Sequence, residues 1–303
     1  MKVAVIGATG VLGRAAVRSL VAGGHDVFGL ARTAGRAALL ESLDVTPVHA
    51  EVFDRDSLVP MFEGCDVVCN LATRMPLRST RAKAWREQDR LRTAGARTVV
   101  EAARLAGIRR LVQESTSTLY ADQGERWVTE DAPLDISAAT EPASVAETWA
   151  QSFASDCPGG RASVILRLGQ VVGEDPATRQ LLAAAQRGRP VAYGDPDGWV
   201  SLLHTDDLGE AVLAAVDAPG GVYNVGADPI RRRDWIAGLG EAAGRSSARL
   251  HGRLAARLAG ERVEPLTRSL RISTEQFTSQ TGWTPSRGRF DLGWLADGRA
   301  MAQ

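Results

Sequence analysis

Residues 3–14 read VAVIGATGVLGR. A short β-branched run ends in three glycines, Gly7, Gly10 and Gly13, spaced three apart. They open a helical pattern, VLGRAAVRSLVAGG (11–24), which a Gly-Gly pair closes. Glycine lets the backbone turn tightly and lets an anion approach the first turn of a helix. There, free N–H groups and the helix dipole favour negative charge. A strand, a glycine turn and a helix in that order open a βαβ unit that cradles a pyrophosphate; a glycine-rich structural turn is the alternative.

The alternation continues. KVAVI (2–6), DVFGL (26–30), VTPVH (45–49), DVVCNL (66–71), RLVQE (110–114), SVILR (163–167) and VYNV (222–225) read as strands, and RTAGARTVVEAARLAG (92–107) as a helix closed by Gly107. This rhythm predicts the α/β class, with a Rossmann-type doubly wound parallel sheet covered by helices on both faces. After residue 168, Pro176, Pro190, Pro196, Pro219 and Pro229 break the chain into shorter pieces. We expect a dinucleotide-binding domain over 1–169, completed by 201–227. A smaller C-terminal substrate-binding lobe would come from 170–200 and 228–303.

Acidic and basic residues both total 36, which gives no electrostatic reason to expect nucleic acid or an anionic membrane as partner. No apolar run approaches the roughly 18 residues needed to span a bilayer. Cys65, Cys69 and Cys157 are too few for a disulfide framework and badly spaced for zinc, and His25, His49, His204 and His251 form no cluster. The expectation is a cytoplasmic protein with a small-molecule substrate and no metal.

At the end of the second strand, NAD-binding chains offer a carboxylate to the ribose diol. Here the sequence is GLARTAGR (29–36), which places Arg32, and then Arg36, at that point. A guanidinium grips a 2′-phosphate with paired hydrogen bonds. NADPH is therefore expected over NADH. The alternative is a solvated surface arginine, in a chain whose basic residues are all arginine apart from Lys2 and Lys83.

The G-x-x-G-x-x-G spacing, EVFDRDSL (51–58), NLAT (70–73), ESTSTLY (114–120), LRLGQVVG (166–173) and LLHTDDLGEAV (202–212) follow in order. Together they resemble the extended short-chain dehydrogenase/reductase family from residue 2 to about 290. The resemblance implies nicotinamide chemistry in a cleft between Rossmann domain and substrate lobe. It also implies cofactor contacts from Thr9, Val11 and Leu12 beside the glycines, from Asp54, from Leu71, Ala72 and Thr73, and from Ser115 and Leu168.

Members of that family use a Ser or Thr, a Tyr, and a Lys four residues after the Tyr. Tyr120, Tyr193 and Tyr223 are followed at four residues by Gly124, Asp197 and Ala227, so no such pair exists. Register places Thr116 at the hydroxyl position, Glu141 and Val145 at the Tyr and Lys positions, and Arg92 where an Asn is usual. A positioned general acid contributes about 10²–10⁴-fold. Hydride placement is a separate contribution and survives its loss. The deficit closes if the substrate brings its own proton, as from a phenol hydrogen-bonded to the ketone. It also closes if an alkoxide stabilised by Thr116, Ser117 or water waits for solvent. Glu141 reads as a first-turn charge, the alternative being an acid whose pKa burial has raised.

The stretch QESTSTLYADQGERW (113–127), the lost acid–base set and the arginine bias are similar to atypical reductases of actinomycete polyketide pathways. That similarity implies an NADPH-dependent ketoreductase acting on an angucyclinone-like aromatic polyketide in antibiotic biosynthesis. The rivals are a non-catalytic NADPH-binding regulator or scaffold and a sugar epimerase or dehydratase. The last needs protein proton transfers that these residues do not offer.

Tyr120 and Ser117 fall just past the fifth strand, at the cleft edge; Tyr120 reads as a substrate contact or a structural hydrogen bond. Trp127, Trp149, Trp199 and Trp235 would line an aromatic pocket or fill cores. His204 reads as a helix cap, and RRR (231–233) as a solvated helix start. HGRLAARLAG (251–260) reads as a lid or an ordinary packed helix.

Overall fold

A computed structural model describes residues 1–76, 81–155, 160–251 and 260–296. Its N-terminal half alternates as the pattern predicts. The elements are β1 (Lys2–Ile6), α1 (Val11–Ala22), β2 (Asp26–Leu30), α2 (Ala34–Glu41), β3 (Thr46–Val48), α3 (Arg55–Phe62) and β4 (Val67–Asn70). Then follow α4 (Ala82–Arg90), a π-turn (Leu91–Gly95), α5 (Ala96–Leu105), β5 (Arg110–Thr116), β6 (Trp127–Val128), α6 (Glu141–Ser155) and β7 (Ala162–Leu168). The second half adds β8 (Gln170–Val172), α7 (Pro176–Gln186), β9 (Pro190–Ala192), β10 (Trp199–Val200), β11 (Leu202–His204), α8 (Thr205–Ala215) and β12 (Gly221–Val225). It continues with β13 (Ile230–Arg231), α9 (Arg232–Ala242), β14 (Arg249–Leu250) and β15 (Arg271–Ile272).

Seven strands form one sheet in the order β12-β7-β5-β4-β1-β2-β3, and every pairing in it is parallel. A parallel sheet must be covered on both faces, and β1 shows how the sequence arranges this. Val3 and Val5 pack into a core shared with Leu20 of α1 and Val212 of α8, whereas Ala4 and Ile6 join one with Phe62, Val99 and Phe153. The order reverses at β1, between β2 and β4. In such a fold the ligand lies there, outside the carboxyl ends of the strands.

The other strands pair two by two: β10 with β13, β11 with β8, β14 with β9 and β15 with β6. Around α7 and α9 the first three pairs contribute to a separate apolar cluster that includes Trp235 and Trp294, while β15 and β6 pack with Tyr120 and Leu270. Residues 252–259 of the lid segment, and Cys157, lie outside the described residues.

The helix expected at 92–107 starts earlier and is not uniform. It begins at Ala82 and widens into the π-turn at Leu91–Gly95 before resuming. There the Thr93 hydroxyl donates to the Asp89 carbonyl at 2.8 Å, a side-chain competitor for a helical acceptor.

Candidate active site

The glycine turn is tight for identifiable reasons. Gly7 has φ +84°, and a Cβ there would stand 2.7 Å from the Leu71 carbonyl oxygen and 2.8 Å from Ala72 Cα. At Gly13 a Cβ would lie 2.6 Å from Ala8 Cα and would strike the Gly7 carbonyl, so α1 sits directly against the turn. Gly10 caps α1 with no side-chain hydrogen bond, which leaves the end of the helix bare. Val11 and Leu12 occupy its first turn, and the Thr9 carbonyl accepts from Arg14 Nη1 at 3.2 Å. Across the switch point, Leu71 N donates to the Ile6 carbonyl at 3.0 Å, carrying Ala72 and Thr73 onto the rim beside Gly7.

Arg32 lies just past β2, exposed, with only a loose 3.8 Å approach to Glu51. Arg36 is exposed in the first turn of α2, whose cap Thr33 accepts from its backbone N–H. Asp54 caps α3 by accepting from Asp56 N at 3.1 Å, a structural duty alongside any ligand contact.

The strand carrying the hydroxyls divides into a half-buried end and a buried part. Thr116 is half-buried at the end of β5 and caps a 3₁₀ turn, Ser117–Leu119; its Oγ1 lies 3.0 Å from Thr118 Oγ1. Ser117 follows it, and Leu168 stands opposite Thr116 in register on β7. Two of the side chains placed at the cleft from sequence are buried in the structure. The Ser115 side chain is not open to a cofactor: it is fully buried and donates to Glu147 Oε1 at 2.5 Å. Tyr120 is not open to a substrate either. Its ring is fully buried and its hydroxyl donates to Asn224 Oδ1 at 2.8 Å, while burial pushes its pKa up to about 12. It has the structural role.

A family model for the NAD-dependent epimerase/dehydratase family matches residues 3–226. The chain belongs to that family, the extended short-chain dehydrogenases/reductases. It is 33% identical, over 97% of its own length and 95% of the relative's, to a 3-diazoavenalumate denitrifying reductase of a Streptomyces species. It is 30% identical, over 80% of its length and 74% of the relative's, to a 4-hydroxy-2-methyl-3-oxo-4-farnesyl-3,4-dihydroquinoline-1-oxide ketoreductase of Stigmatella aurantiaca. The fold is that of UDP-glucose 4-epimerases. The enzyme of Thermotoga maritima superposes with TM-score 0.79 at 18% identity, covering all of both chains. That of Thermus thermophilus gives 0.78 at 22%, covering 99% of this chain and 100% of the other.

Against the pattern of its family, the start of α6 is bare. Glu141 is exposed in the first turn, and Val145 is half-buried one turn on. What lies behind that helix was not foreseen from sequence. Glu147 is buried and takes a two-pronged hydrogen bond from Arg167, Nε to Oε1 at 2.9 Å and Nη2 to Oε2 at 2.7 Å. Arg167 also lies over the Tyr120 ring, 4.8 Å from its centroid. Arg92 pairs with buried Glu114. Burial raises the Glu114 carboxyl above its ordinary range against the opposing pull of Arg92, and nearby Glu147 adds to the rise. The available clues were an arginine inside the apolar strand ILRL and a glutamate on the alanine face of α6. A charge in either place has to be paired.

The tryptophans do not share a pocket. Arg271 lies between Trp127 and Trp199, 4.1 and 4.6 Å from their centroids; Trp235 is buried in the α7–α9 core, and Trp149 packs at the α5–α6 side. The RRR stretch is not uniformly solvated. Arg232 is only 2% exposed and donates to the Asp195 and Arg268 carbonyls. His204 caps α8, accepting from Asp206 N at 3.2 Å. No helix among the described residues is long and apolar enough to cross a membrane, and no group of three or more acidic, His or Cys side chains among them could hold a metal.

Proposed function

We propose that the protein is an NADPH-dependent ketoreductase that acts on a polycyclic, phenolic polyketide ketone of the angucyclinone kind, a step in the cytoplasmic synthesis of an antibiotic. One contrast carries the reading: the dinucleotide cradle is intact, while α6 offers Glu141 and Val145 where a tyrosine and a lysine would manage the proton. The cradle suits the cofactor, since Gly7 and Gly13 are filled by neighbouring backbone and bare Gly10 leaves the α1 terminus to a pyrophosphate. Arg32 and Arg36 would hold the 2′-phosphate. Asp54, Leu71, Ala72, Thr73 and Leu168 would make the remaining contacts. Segments 170–200 and 228–303 would cover the substrate.

Bound NADPH supplies the hydride. Thr116 and Ser117 offer hydroxyls to the carbonyl oxygen, and the proton comes from the substrate's own phenol or from solvent. Two relatives named as reductases of secondary metabolites support this direction. In the test, purified protein is given NADPH and aromatic polyketide ketones with a free or methylated phenol beside the carbonyl. The free phenol should be reduced, with methylation slowing the reaction by about the 10²-fold or more of a lost acid. Thr116→Val should cost clearly less than that. If no ketone is consumed although NADPH binds, the regulator reading stands instead.

The same bare helix favours a second substrate class. Hydride added to the terminal nitrogen of an aryl diazonium ion gives a diazene, which releases N₂ and leaves the hydrogen on carbon. That sequence asks no proton of the protein, and the Streptomyces relative bears the name of a denitrifying reductase. Release of N₂ coupled to NADPH loss from an aryl diazo acid, with ketones untouched, would select it.

A further inference from the structure

Two side-chain donors one helical turn apart, Gln88 Nε2 at the end of α4 and Arg92 Nε in the π-turn, are buried without a hydrogen-bond partner among the described residues. Orphaned donors of this kind are costly, and one turn of helix places both on the same side. Their other atoms fix where they stand. Gln88, 1% exposed, accepts the Arg74 N–H at 2.5 Å, and Arg74 belongs to the loop that leaves β4 past Gly7. Arg92 binds Glu114 through Nη2, and Glu114 lies two residues before Thr116 in β5. The pair therefore stands between the ends of β4 and β5, on the carboxyl edge where a doubly wound fold holds its ligand. The Arg92 side chain keeps 13% of its surface open.

We propose that Arg92 is a catalytic residue: its guanidinium, held by Glu114, stabilises the negative charge that hydride transfer places on the substrate's carbonyl oxygen, with Gln88 as a second donor. This rests on the ketone reading above. Reducing a carbonyl moves one electron pair onto oxygen, and with the tyrosine and lysine gone some other donor has to meet it. Guanidinium has five N–H groups and keeps its charge at any working pH, so it stabilises an alkoxide without giving up a proton. That fits a reaction whose proton comes from phenol or solvent. Glu114 engages Nη2 and leaves the Nε–H uncommitted. Arg92 lies in the π-turn, and such bulges are frequent at functional sites.

The competing role is purely structural, with Arg92 doing no more than neutralise Glu114. Arg92→Ala alone would strand that carboxylate, so the informative protein is Arg92→Ala/Glu114→Gln, which removes both charges. NADPH affinity, melting temperature and single-turnover hydride transfer are measured with and without added methylguanidine. The double variant should stay folded and bind NADPH as before. Its transfer rate should fall by about 10²–10³-fold, the cost of a lost oxyanion donor, and methylguanidine should restore it saturably. If the double variant keeps pace with wild type, or loses rate that no guanidine restores, the proposal is overturned while the ketoreductase reading stands. If wild type binds NADPH but reduces no ketone, both fall. If the double variant does not fold, Arg92→Lys decides: it keeps the charge but carries all its donors on one nitrogen and cannot hold Glu114 and the substrate oxygen from separate nitrogens, and an unchanged transfer rate there overturns the proposal.

Discussion

At the scale of single residues, absence was easier to read than pairing. With only Lys2 and Lys83 in the chain, loss of the tyrosine–lysine pair is a matter of counting. Buried ion pairs are harder to see, because Arg167 and Glu147 resemble the many surface charges of a chain with 36 of each sign. Their side chains are 6% exposed, and that makes them informative. Arg167→Met would leave Glu147 charged with only the Ser115 hydroxyl for a partner, at a cost of about 3–5 kcal/mol, whereas changing both residues to methionine should cost much less. Melting curves of the three proteins test this; equal losses in the single and double variants would mean that packing of the arginine stem matters more than its charge. Arg32 is the opposite case, an exposed arginine whose value would lie in the ligand. Arg32→Ala should weaken NADPH by about tenfold or more, the size of a charge-assisted contact, and leave NADH nearly unchanged. Equal weakening of the two in a binding titration would defeat the phosphate assignment.

At the scale of elements, β1 and α1 were fully legible, because Gly7 and Gly13 are each demanded by neighbouring backbone. The helix at 92–107 was legible as a helix but its π-turn was not. Nothing in its apolar spacing announces a π-turn, where the Thr93 hydroxyl meets the Asp89 carbonyl and Arg92 meets Glu114. Ser115 and Tyr120 were placed near the site by register and turned into the core by the pleat and by Asn224. The glycines yield an element-level prediction that separates folding from binding. A methyl at Gly13 meets main chain on two residues that cannot yield, so Gly13→Ala should lower the melting temperature, costing about 1–3 kcal/mol or more of overpacking. A methyl at Gly10 meets only the Gly7 oxygen, at 3.2 Å. Gly10→Ala should melt close to wild type yet bind NADPH poorly, because the methyl stands where the pyrophosphate must pass. A Gly10→Ala protein with full affinity would show that the anion does not use that helix end.

At the scale of the molecule, the sheet is joined to the β6–β15 pair through a chain of polar contacts. Arg167 lies on the Tyr120 ring, Tyr120 donates to Asn224, Asn224 Nδ2 donates to the Val128 carbonyl, and Asn224 N donates to Glu130 Oε1 at 2.7 Å. Burial raises the Glu130 carboxyl above its ordinary 4.5, more than the Asn224 N–H lowers it. A folded pKa above the unfolded one means that the native state holds the proton more tightly. The stability this gives is complete below about pH 4.5 and is lost as pH rises through the raised value. Glu114, raised in the same direction, behaves alike. The exposed Glu125 is the reverse case: hydrogen bonds from Arg231 and Trp199 hold its pKa at about 2, so its contribution is complete above about pH 4.5 and is lost as pH falls towards 2. Mild acid should therefore not open this junction first. Glu130→Gln supplies the test, since a glutamine keeps the acceptor but never titrates. Melted in parallel from about pH 4 to about pH 8, wild type should lead the variant by most at the acidic end, with the gap closing as pH rises. A gap that widens with pH would mean that the fold holds the carboxylate rather than the acid, and the junction would then be one that acid loosens.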